Sequence, residues 1–345
     1  MTSRERMCKV LNHECPDRLP IFDYAIDKKV VHAICKNGDY ADVVEALDFD
    51  AITAWEPSTG GYVDEMQERK PGEQYVDEWG VHRQVTEEMS SYPLEHEVVI
   101  RSRSDVRNLS IPDPKSEHRF ETLRRYIDRF RGKRFVSYAI LDMFELSKCR
   151  MGFQNFVLAF TDEPALVKDV LDTTTDWVVQ VAQKAADIGA DMIIDLSDIA
   201  WTNGTLVSRK IVQEFFIPCL SKVVDAVKKR RAYIFYHTHG NVSQVIDLIV
   251  NTGIDVLHPL DPDAGMDIGL VKQVYGSKIV VAGNISTHLL STQTREEITN
   301  VTKETIERTF SGGGYILMSS SSVLSSVNPV NYRAMIETAR ALGNY

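Results

Sequence analysis

The sequence predicts a single α/β domain with the (β/α)8 TIM-barrel fold, covering residues 1–345. Short runs rich in Ile, Val, Phe and Tyr alternate with longer amphipathic stretches along the chain. The short runs lack strict apolar–polar alternation, as expected for strands of a parallel sheet that is covered on both faces. There are eight such runs, and eight parallel strands close into a barrel. No glycine-rich phosphate-binding fingerprint follows the first run, which disfavours a doubly wound open sheet.

The predicted strands and helices follow one another in the order that a barrel requires. The strands are Leu19–Tyr24, Asp50–Trp55, Phe135–Leu141, Asp191–Leu196, Ala232–His237, Ile254–His258, Lys278–Gly283 and Tyr315–Ser319. The clearest helical patterns are Pro164–Ile188, Ser208–Lys229, Val242–Thr252, Asp267–Tyr275 and Thr294–Phe310. Ser208 is a candidate N-cap, and Thr294 with Glu297 has the pattern of a capping box.

One segment departs from this alternation. Residues 60–99 are predicted to form a β-hairpin insertion after the second strand. Tyr62–Glu65 and Val76–Val85 are its expected strands, and Lys70–Glu73, which contains Pro and Gly, is its expected turn. This position in the chain places the insertion over the barrel mouth or against its side.

The charge balance excludes two classes of partner. The chain has 39 Lys and Arg against 49 Asp and Glu, a formal net charge of −10 at pH 7. Nucleic acids and anionic membranes attract clustered basic residues, so we expect neither as a partner. The one dense basic run, residues 228–231, closes a predicted helix, where cations complement the helix dipole.

The cysteines and the amino terminus predict a cytoplasmic protein. The five cysteines are scattered without CxxC spacing, so we expect free thiols in a reducing compartment. The first residues lack the apolar core of a signal peptide. No apolar run approaches the roughly 20 residues needed to span a bilayer.

Polar and ionisable residues follow nearly every predicted strand. In a TIM barrel, the active site lies at the carboxyl ends of the strands and in the loops after them. Because these residues recur from strand to strand, they indicate a functional mouth rather than the ordinary solvation of single strand ends. They are Asp23, Glu56, Asp142, Glu145, Asp195, Asp198, His237, His239, His258, Asp261, Asp263, Asn284 and Ser319–Ser322.

The densest group is His237 and His239, where the fifth strand ends. Side chains two residues apart leave a strand on the same side, so both imidazoles can face one point. Neutral imidazole is a good zinc ligand, and a catalytic zinc site uses three protein ligands and one open position. Glu145, Asp195 or Asp198 is the candidate third ligand. The alternative is a metal-free pair in which one histidine supports the other, because His-x-His alone is a weak motif.

Short motifs spread over the whole chain carry a family resemblance. They are residues 2–6, 12–20, 77–81, 112–114, 237–241, 275–276, 283–285 and 313–316. In this order and spacing they resemble the uroporphyrinogen decarboxylase superfamily, specifically its methyltransferase branch. The resemblance implies a distorted (β/α)8 barrel, in agreement with the strand count.

The first predicted strand separates the branches of this superfamily. The resemblance implies that true uroporphyrinogen decarboxylases have an Arg-rich segment there, which binds the substrate carboxylates. Residues 21–27 of this chain contain Asp23 and Asp27 and no arginine. An acidic segment repels a polycarboxylate, so a porphyrinogen substrate is disfavoured.

The methyltransferase branch resembles zinc-dependent enzymes that move methyl groups between a substrate, a corrinoid protein and an acceptor. In thiol-methylating members, the resemblance implies zinc held by a His-x-Cys pair and a distant Cys. This chain has His237 and His239 at the pair and Ser321 at the distant position. Replacing sulfur by nitrogen and oxygen disfavours thiol activation. We therefore expect an O-demethylase methyltransferase component that acts on a small methoxylated aromatic donor.

These inferences assign roles at the barrel mouth. Zinc is expected on His237, His239 and Glu145, and the expected catalytic groups are His237, Asp198 and Glu145. A Lewis acid or proton donor stabilises the leaving oxygen while a corrinoid, carried by a partner protein, attacks the methyl carbon. A homodimer is the candidate oligomeric state. The expected substrate-binding residues are Phe22, Tyr24, Trp55, Trp201, His258, Asn284 and Ser321.

Three alternative functions remain open on the sequence. The first is a metal-free decarboxylase or lyase that uses His237, His239 and Asp198 as acid–base groups. The second is methyl transfer from methylcobamide to a thiol acceptor. The third is a non-catalytic binding or scaffold subunit whose barrel has lost the third metal ligand.

Overall fold

A seven-stranded parallel sheet forms the centre of the protein, whose computed structural model describes residues 1–57, 69–87 and 91–345. The strands follow one another around this sheet in chain order, and neighbouring strands pair in parallel register. In chain order the strands are β1 Ala51–Trp55, β2 Gln74–Val76, β3 His82–Val85, β4 Ser91–Pro93, β5 Phe135–Leu141, β6 Met192–Leu196, β7 Ala200–Trp201, β8 Gly204–Thr205, β9 Tyr233–His237, β10 Val256–His258, β11 Val280–Ile285 and β12 Tyr315–Ser319. The main sheet consists of β1, β5, β6, β9, β10, β11 and β12, in that order.

The predicted first strand, Leu19–Tyr24, is reduced to a β-bridge between the two edges of the main sheet. Ile21 pairs with Leu317 of β12, and the Ile21 carbonyl accepts a hydrogen bond from the Asp50 amide at 2.8 Å. Pro20 has no amide hydrogen to give to a ladder. The Ile21 amide donates to the Asp50 carboxylate at 2.9 Å instead of to a backbone carbonyl. The architecture is therefore TIM-barrel-like, and the other seven predicted strands lie in the sheet.

Helices follow the strands and cover the outside of the sheet. None of the helices in the described ranges is both long and apolar enough to cross a membrane. Single 3-10 turns occur at Glu117–Phe120 and Pro262–Ala264. In chain order the helices are α1 Ser3–Leu11, α2 Lys28–Ile34, α3 Tyr40–Ala46, α4 Arg103–Asn108, α5 Glu121–Phe130, α6 Met143–Met151, α7 Phe153–Asp162, α8 Pro164–Ile188, α9 Arg209–Ile211, α10 Ile217–Lys228, α11 Ile246–Val250, α12 Ile268–Tyr275, α13 Thr287–Thr292, α14 Arg295–Thr309 and α15 Pro329–Leu342.

The predicted helices are present, with local departures that have physical causes. Helix α8 has the predicted bounds, and Thr294 caps α14 in a reciprocal capping box. The predicted helix Ser208–Lys229 is interrupted by a π-helical turn at Val212–Phe216. Pro218 follows that turn and cannot donate to a carbonyl one α-turn earlier, which accounts for the wider turn.

The predicted hairpin insertion is not confirmed. Its first expected strand, Tyr62–Glu65, lies outside the described residues, as do all of residues 58–68 and 88–90. Within the described residues, β2, β3 and β4 form a three-stranded antiparallel sheet. The expected continuous strand Val76–Val85 is wrong, because the chain reverses direction between β2 and β3.

Asp77 makes this reversal. Its carboxylate accepts hydrogen bonds from the amides of Trp79 and Val81, each at 2.9 Å, which is the side-chain-to-backbone bonding typical of an Asx turn. The Asp77 carboxylate also accepts from Arg83 Nε at 2.6 Å. Local turn chemistry therefore overrides the apolar pattern that predicted one long strand.

A buried arginine ties this small sheet to the barrel. Arg119 is 1% exposed and forms ion pairs with Glu56, after β1, and with Glu78, in the turn between β2 and β3. Its guanidinium also lies over the Trp177 ring of α8, 5.1 Å from the ring centroid. One side chain thus connects the insertion, the end of β1 and the helical layer.

The basic run at residues 228–231 has the expected structural setting. Lys228 ends α10 and donates to the Asp255 carboxylate at 2.9 Å, and Arg230 pairs with Asp187 at 3.0 Å. Two of the four cations in the run are thus paired with neighbouring carboxylates. The five cysteines are free thiols.

Candidate active site

The carboxyl ends of the strands bring the predicted histidines together. His237 ends β9, His258 ends the neighbouring strand β10, and Ser319 ends β12. Parallel strands end at the same rim, so residues far apart in sequence meet there. The rings of His237 and His239 lie 4.8 Å apart, and those of His237 and His258 lie 5.0 Å apart.

Hydrogen bonds fix the tautomers of His237 and His258. The Nε2 atom of His258 lies 2.9 Å from the Ser319 carbonyl oxygen, which can only accept, so Nε2 carries the hydrogen. Burial lowers the pKa of both rings well below the usual value, so both are neutral. His258 Nδ1 is then an acceptor, and His237 Nδ1, 2.7 Å away, donates to it. His237 Nε2 is left as a lone pair that faces the mouth.

Asp198 faces that lone pair. Its Oδ1 lies 3.8 Å from His237 Nε2 and accepts a hydrogen bond of 3.0 Å from the His239 amide. A lone pair and a carboxylate repel one another unless a proton or a cation lies between them. This gap is thus a place for a polar or positively charged group, and it opens to solvent because the Asp198 side chain is 47% exposed.

His239 lies between an acid and a hydroxyl. Its Nδ1 is 3.6 Å from Asp261 Oδ2, and its Nε2 is 3.0 Å from Ser321 Oγ. Burial disfavours the charged ring, but the carboxylates of Asp261 and Asp198 outweigh it and raise the pKa of His239. The imidazolium form of His239 is therefore easier to form than that of a free histidine, and in this form Nε2 donates to Ser321 Oγ, whereas neighbouring His237 is neutral.

Glu145 is placed beside Asp198 by the start of α6. Asp142 caps this helix by accepting from the Glu145 amide at 2.8 Å. The Glu145 carboxylate pairs with Lys148, one turn further along, and accepts from the Asp198 amide at 3.3 Å. Burial raises the pKa of Glu145, although Lys148 opposes the shift. Glu145 therefore supports the Asp198 loop from the side.

The residues present fit a metal ion only in part. Zinc–nitrogen and zinc–oxygen bonds of about 2.0–2.2 Å each are compatible with one cation between His237 Nε2 and Asp198 Oδ1. The third donor is missing, since His239 is engaged by Asp261 and Ser321 and Glu145 is engaged by its lysine. Within the described ranges, no three or more His, Cys, Asp or Glu side chains are grouped as a metal site.

Aromatic rings form one wall beside the histidines. The Tyr24 ring lies 5.4 Å from that of His237 and 5.9 Å from that of Trp55. Both Tyr24 and Trp55 also line a cavity of about 220 Å³ between the barrel and helices α2, α3 and α5. The cavity-lining residues are Tyr24, Ala25, Ile26, Lys28, Val31, His32, Gly38, Asp39, Tyr40, Thr53, Trp55, Thr122 and Tyr126.

Other expected substrate-binding residues have different surroundings. Phe22 is 0% exposed and packs against Phe235, so it is a core residue. His258 is also fully buried with both ring nitrogens occupied, and it positions His237 instead of lining the mouth. The Asn284 side-chain amide donates to the Leu260 carbonyl at 2.9 Å. The structure thus gives these three side chains packing or positioning contacts, and their contact with substrate stays a prediction.

The β7–β8 hairpin holds the predicted Trp201 at the rim. Trp201 is 63% exposed, and its carbonyl accepts from the Asn241 amide at 2.8 Å. Gly240 has a φ of 85°, and a Cβ there would lie 2.6 Å from the Ala200 carbonyl carbon. Only glycine therefore lets the hairpin lie against the loop that carries His239.

Sequence reasoning missed a buried network behind the histidines. Asp23 accepts from the Ser319 hydroxyl and from the Tyr332 hydroxyl, each at 2.6 Å. Burial raises the pKa of Asp23 to about 6, although both hydrogen bonds oppose the shift. The network holds Ser319, whose carbonyl fixes His258. Asp23 was visible as a strand-end acid, but no local signal connects Tyr332 of α15 with it.

Comparison with known proteins places the chain in a family. The sequence model of the uroporphyrinogen decarboxylase (URO-D) family matches residues 84–342. The chain belongs to the URO-D family. The resemblance inferred from the sequence is therefore confirmed, and the barrel-like parallel sheet of this URO-D protein agrees with it.

The curated relatives of this URO-D protein are methyltransferases. Two proteins named methylcobamide:CoM methyltransferase MtbA, from Methanosarcina acetivorans and Methanosarcina mazei, are 22% and 23% identical to it over 202 residues. Each match covers 59% of this chain and 57% of the relative. The chain thus spans little more than half the length of these relatives, which support the methyltransferase branch of the family.

Solved structures agree on the fold. A methyltransferase from Methanosarcina mazei superposes with a TM-score of 0.77 at 15% identity, covering 99% of both chains. A B12-independent methionine synthase from Shewanella sp. W3-18-1 superposes with a TM-score of 0.54 at 12% identity, covering 87% of this chain and 85% of that one. At these identities the likeness concerns the fold.

Proposed function

We propose that this URO-D protein is the methyltransferase component of an O-demethylase, which moves a methyl group from a small methoxylated aromatic compound to a corrinoid on a partner protein. The methyl–oxygen bond breaks with its electron pair on oxygen, and the corrinoid supplies the nucleophile that takes the methyl group. The protein must orient the ether and stabilise the departing phenolate oxygen.

The observation that carries this proposal is the position of His239 between Asp261 and Ser321. Asp261 favours the imidazolium form, and Nε2 is directed to the mouth, 3.0 Å from a hydroxyl oxygen. A phenolic oxygen that replaced Ser321 Oγ as the acceptor would receive this proton as the ether bond breaks. His239 is then the general acid, and neutral His237 with Asp198 orients the substrate.

The same residues argue against a thiol substrate. The resemblance implies that thiol-methylating members hold zinc with cysteines where this chain has His239 and Ser321. Here these two side chains hydrogen-bond to one another. Nitrogen and oxygen are harder ligands than the two sulfur atoms they replace, so this pair is less suited to hold a metal that binds a thiolate substrate. The names of the relatives nevertheless favour transfer to a thiol as the second candidate.

The aromatic wall supports an aromatic donor. Tyr24 contacts the ring of His237 and shares the neighbouring cavity with Trp55. Flat apolar walls with a few polar groups at one end are typical of pockets for small aromatic ligands. We propose that Tyr24 and Trp55 hold the donor ring while its ether oxygen faces His239.

Zinc is the alternative means of activating the leaving oxygen. Its proposed ligands are His237, His239 and Glu145, and bound zinc would act as a Lewis acid on the ether oxygen. The hydrogen bond from His237 to His258 is typical of a metal-ligating histidine. Glu145 would have to leave Lys148 to complete the set. Zinc content of protein purified without a polyhistidine tag distinguishes the two mechanisms.

A donor panel tests the proposed function. Purified protein is mixed with reduced cobalamin and with methoxylated aromatics, methylamines or methyl thioethers, and methylation of cobalamin is followed by its absorbance. We expect transfer from methoxylated aromatics only. Transfer from methylcobalamin to a thiol, without transfer from any ether, would establish the second candidate instead.

A further inference from the structure

Two buried carboxylates lie on the far side of the strands from the catalytic histidines. In the parallel register of β6 and β9, Leu196 is opposite His237 and Asp195 is opposite Tyr236. Successive side chains of a strand point to opposite faces. Asp195 therefore faces the helical layer, and it cannot be the third ligand of a metal bound at His237, which was one of the options the sequence left open.

Several oxygen atoms are brought together on this face. Asp142 follows β5 with its amide bonded to the Leu196 carbonyl at 3.0 Å, and its carboxyl group interacts electrostatically with that of Asp195. The Ser197 hydroxyl lies beside the Asp142 carboxyl group and beside the Tyr236 hydroxyl. Two carboxylates and two hydroxyls thus share one buried location between the strands and the helices.

The Asp195 carboxylate lacks a partner. Asp195 is 0% exposed, and neither of its oxygens has a hydrogen-bond partner among the described residues. The Ser197 hydroxyl is 1% exposed and lies within hydrogen-bonding reach of the Asp142 carboxyl group and of the Tyr236 hydroxyl. Buried polar atoms are normally hydrogen-bonded, and an unsatisfied group in a native fold points to an ion or a water molecule. Two unsatisfied oxygens on one fully buried carboxylate are therefore a specific signal.

No cationic side chain neutralises this pair. Among the described residues, neither Asp142 nor Asp195 forms an ion pair with Lys, Arg or His, and the further charged neighbour of Asp142 is the acidic Glu145. From the helical layer, α10 contributes the neutral thiol of Cys219 near Asp142. Two uncompensated buried carboxylates are very costly.

We propose that a hard, oxygen-ligated cation binds between Asp142, Asp195 and Ser197. Carboxylate and hydroxyl oxygens are the ligands that Mg²⁺ and Ca²⁺ prefer, and sulfur or imidazole is absent from this set. The alternative occupant is a proton shared between the two carboxyl groups, since burial raises the pKa of both. The cation stabilises the start of α6 and so the position of Glu145.

Thermal unfolding of the full chain tests this site without reference to methyl transfer. The protein is stripped with a chelator and titrated with MgCl2, CaCl2 or KCl, with choline chloride at equal ionic strength as the salt control. We expect one cation to raise Tm saturably by several degrees, because a ligand that binds only the folded state stabilises it.

Variants locate the cation. Asp195→Asn is expected to abolish the Tm shift, and Asp142→Asn, which keeps an N-cap oxygen, should reduce it at least tenfold in apparent affinity. Asp176→Asn, at an exposed carboxylate of α8, is the matched control and should keep the full shift. If the two variants do not fold, the metal content of the wild-type protein decides whether the site holds a cation. We then expect about one hard cation per chain.

Three results would overturn the proposal. In the first, none of the three salts raises Tm beyond the choline control. In the second, Asp195→Asn retains the full response. In the third, neither variant folds and the wild-type protein retains no hard cation on purification. Each of these would identify the location as a hydrated or protonated carboxyl pair.

Discussion

His237 presents a lone pair to the barrel mouth because the residues behind it fix its tautomer. Its Nδ1–H is bonded to His258, and His258 is held in turn by the Ser319 carbonyl. Burial keeps both rings neutral by lowering the pKa of each. His239, two residues along, has the opposite preference because carboxylates surround it. The opposite pKa shifts of the two imidazoles favour an acceptor at His237 and a proton donor at His239.

Replacing His258 tests the positioning chain. His258→Phe keeps a ring of similar size but removes the acceptor for His237 Nδ1, so the His237 tautomer is no longer fixed. We expect kcat for methyl transfer to fall about 10- to 100-fold, the range found for supporting residues of this kind, with the fold retained by circular dichroism. His118→Phe, at an exposed histidine, is the control and should leave kcat unchanged.

Replacing Asp261 tests the proton donor through the pH dependence of kcat. The Asp261 carboxylate helps to raise the pKa of His239, so Asp261→Asn lowers that pKa and the imidazolium form is lost at a lower pH. The alkaline limb of the kcat profile should therefore move to lower pH. Asp263→Asn, which removes a charge with a weaker effect on His239, should move it less. Identical profiles for the wild-type and Asp261→Asn proteins would exclude His239 as the titrating acid.

The elements that matter most to the site are short and local. The β7–β8 hairpin lies directly on the loop that carries His239, and helix α6 starts beside Asp198 with Glu145 in its first turn. These elements orient the catalytic loops while the long helices form the supporting layer. Changes in the short elements should thus affect activity before they affect the overall fold.

Gly240→Ala tests the contact between the hairpin and the catalytic loop. The new Cβ would meet the Ala200 backbone at 2.6 Å, so the two segments must separate. We expect kcat to fall by at least about tenfold, since displacements of about 1 Å at an active site can cost more than that. Gly265→Ala is a close control because it has a similar φ of 76° with nothing within 4 Å. Equal kcat values in the two variants would contradict this role.

Arg119→Met tests the connection between the small sheet and the barrel. The substitution removes the ion pair between the buried Glu56 carboxylate and Arg119. Removing one partner of a buried ion pair costs about 3–5 kcal/mol, and urea denaturation should show this loss. Arg124→Met breaks an exposed ion pair with Glu117 and should change stability little.

At the scale of the whole molecule, hydrophobic periodicity predicted the fold because the buried parallel strands are nearly continuous apolar runs. It failed at Leu19–Tyr24, where Pro20 limits pairing to a bridge, and at Val76–Val85, where Asp77 makes a turn. The strand-end positions of His237 and His239 followed from local sequence. The buried network behind them did not, because the contact between Asp23 and Tyr332 spans 309 residues.

The dependence of rate on the leaving group tests the central claim, that His239 protonates the departing oxygen. Methyl transfer to reduced cobalamin is measured for a series of methoxylated aromatics whose phenols differ in pKa, with wild-type protein and His239→Gln. General acids contribute about 10²- to 10⁴-fold, and the benefit is largest for poor leaving groups. We predict that His239→Gln slows donors of high phenol pKa far more than donors of low phenol pKa. An equal loss across the series, or no loss, would contradict the account.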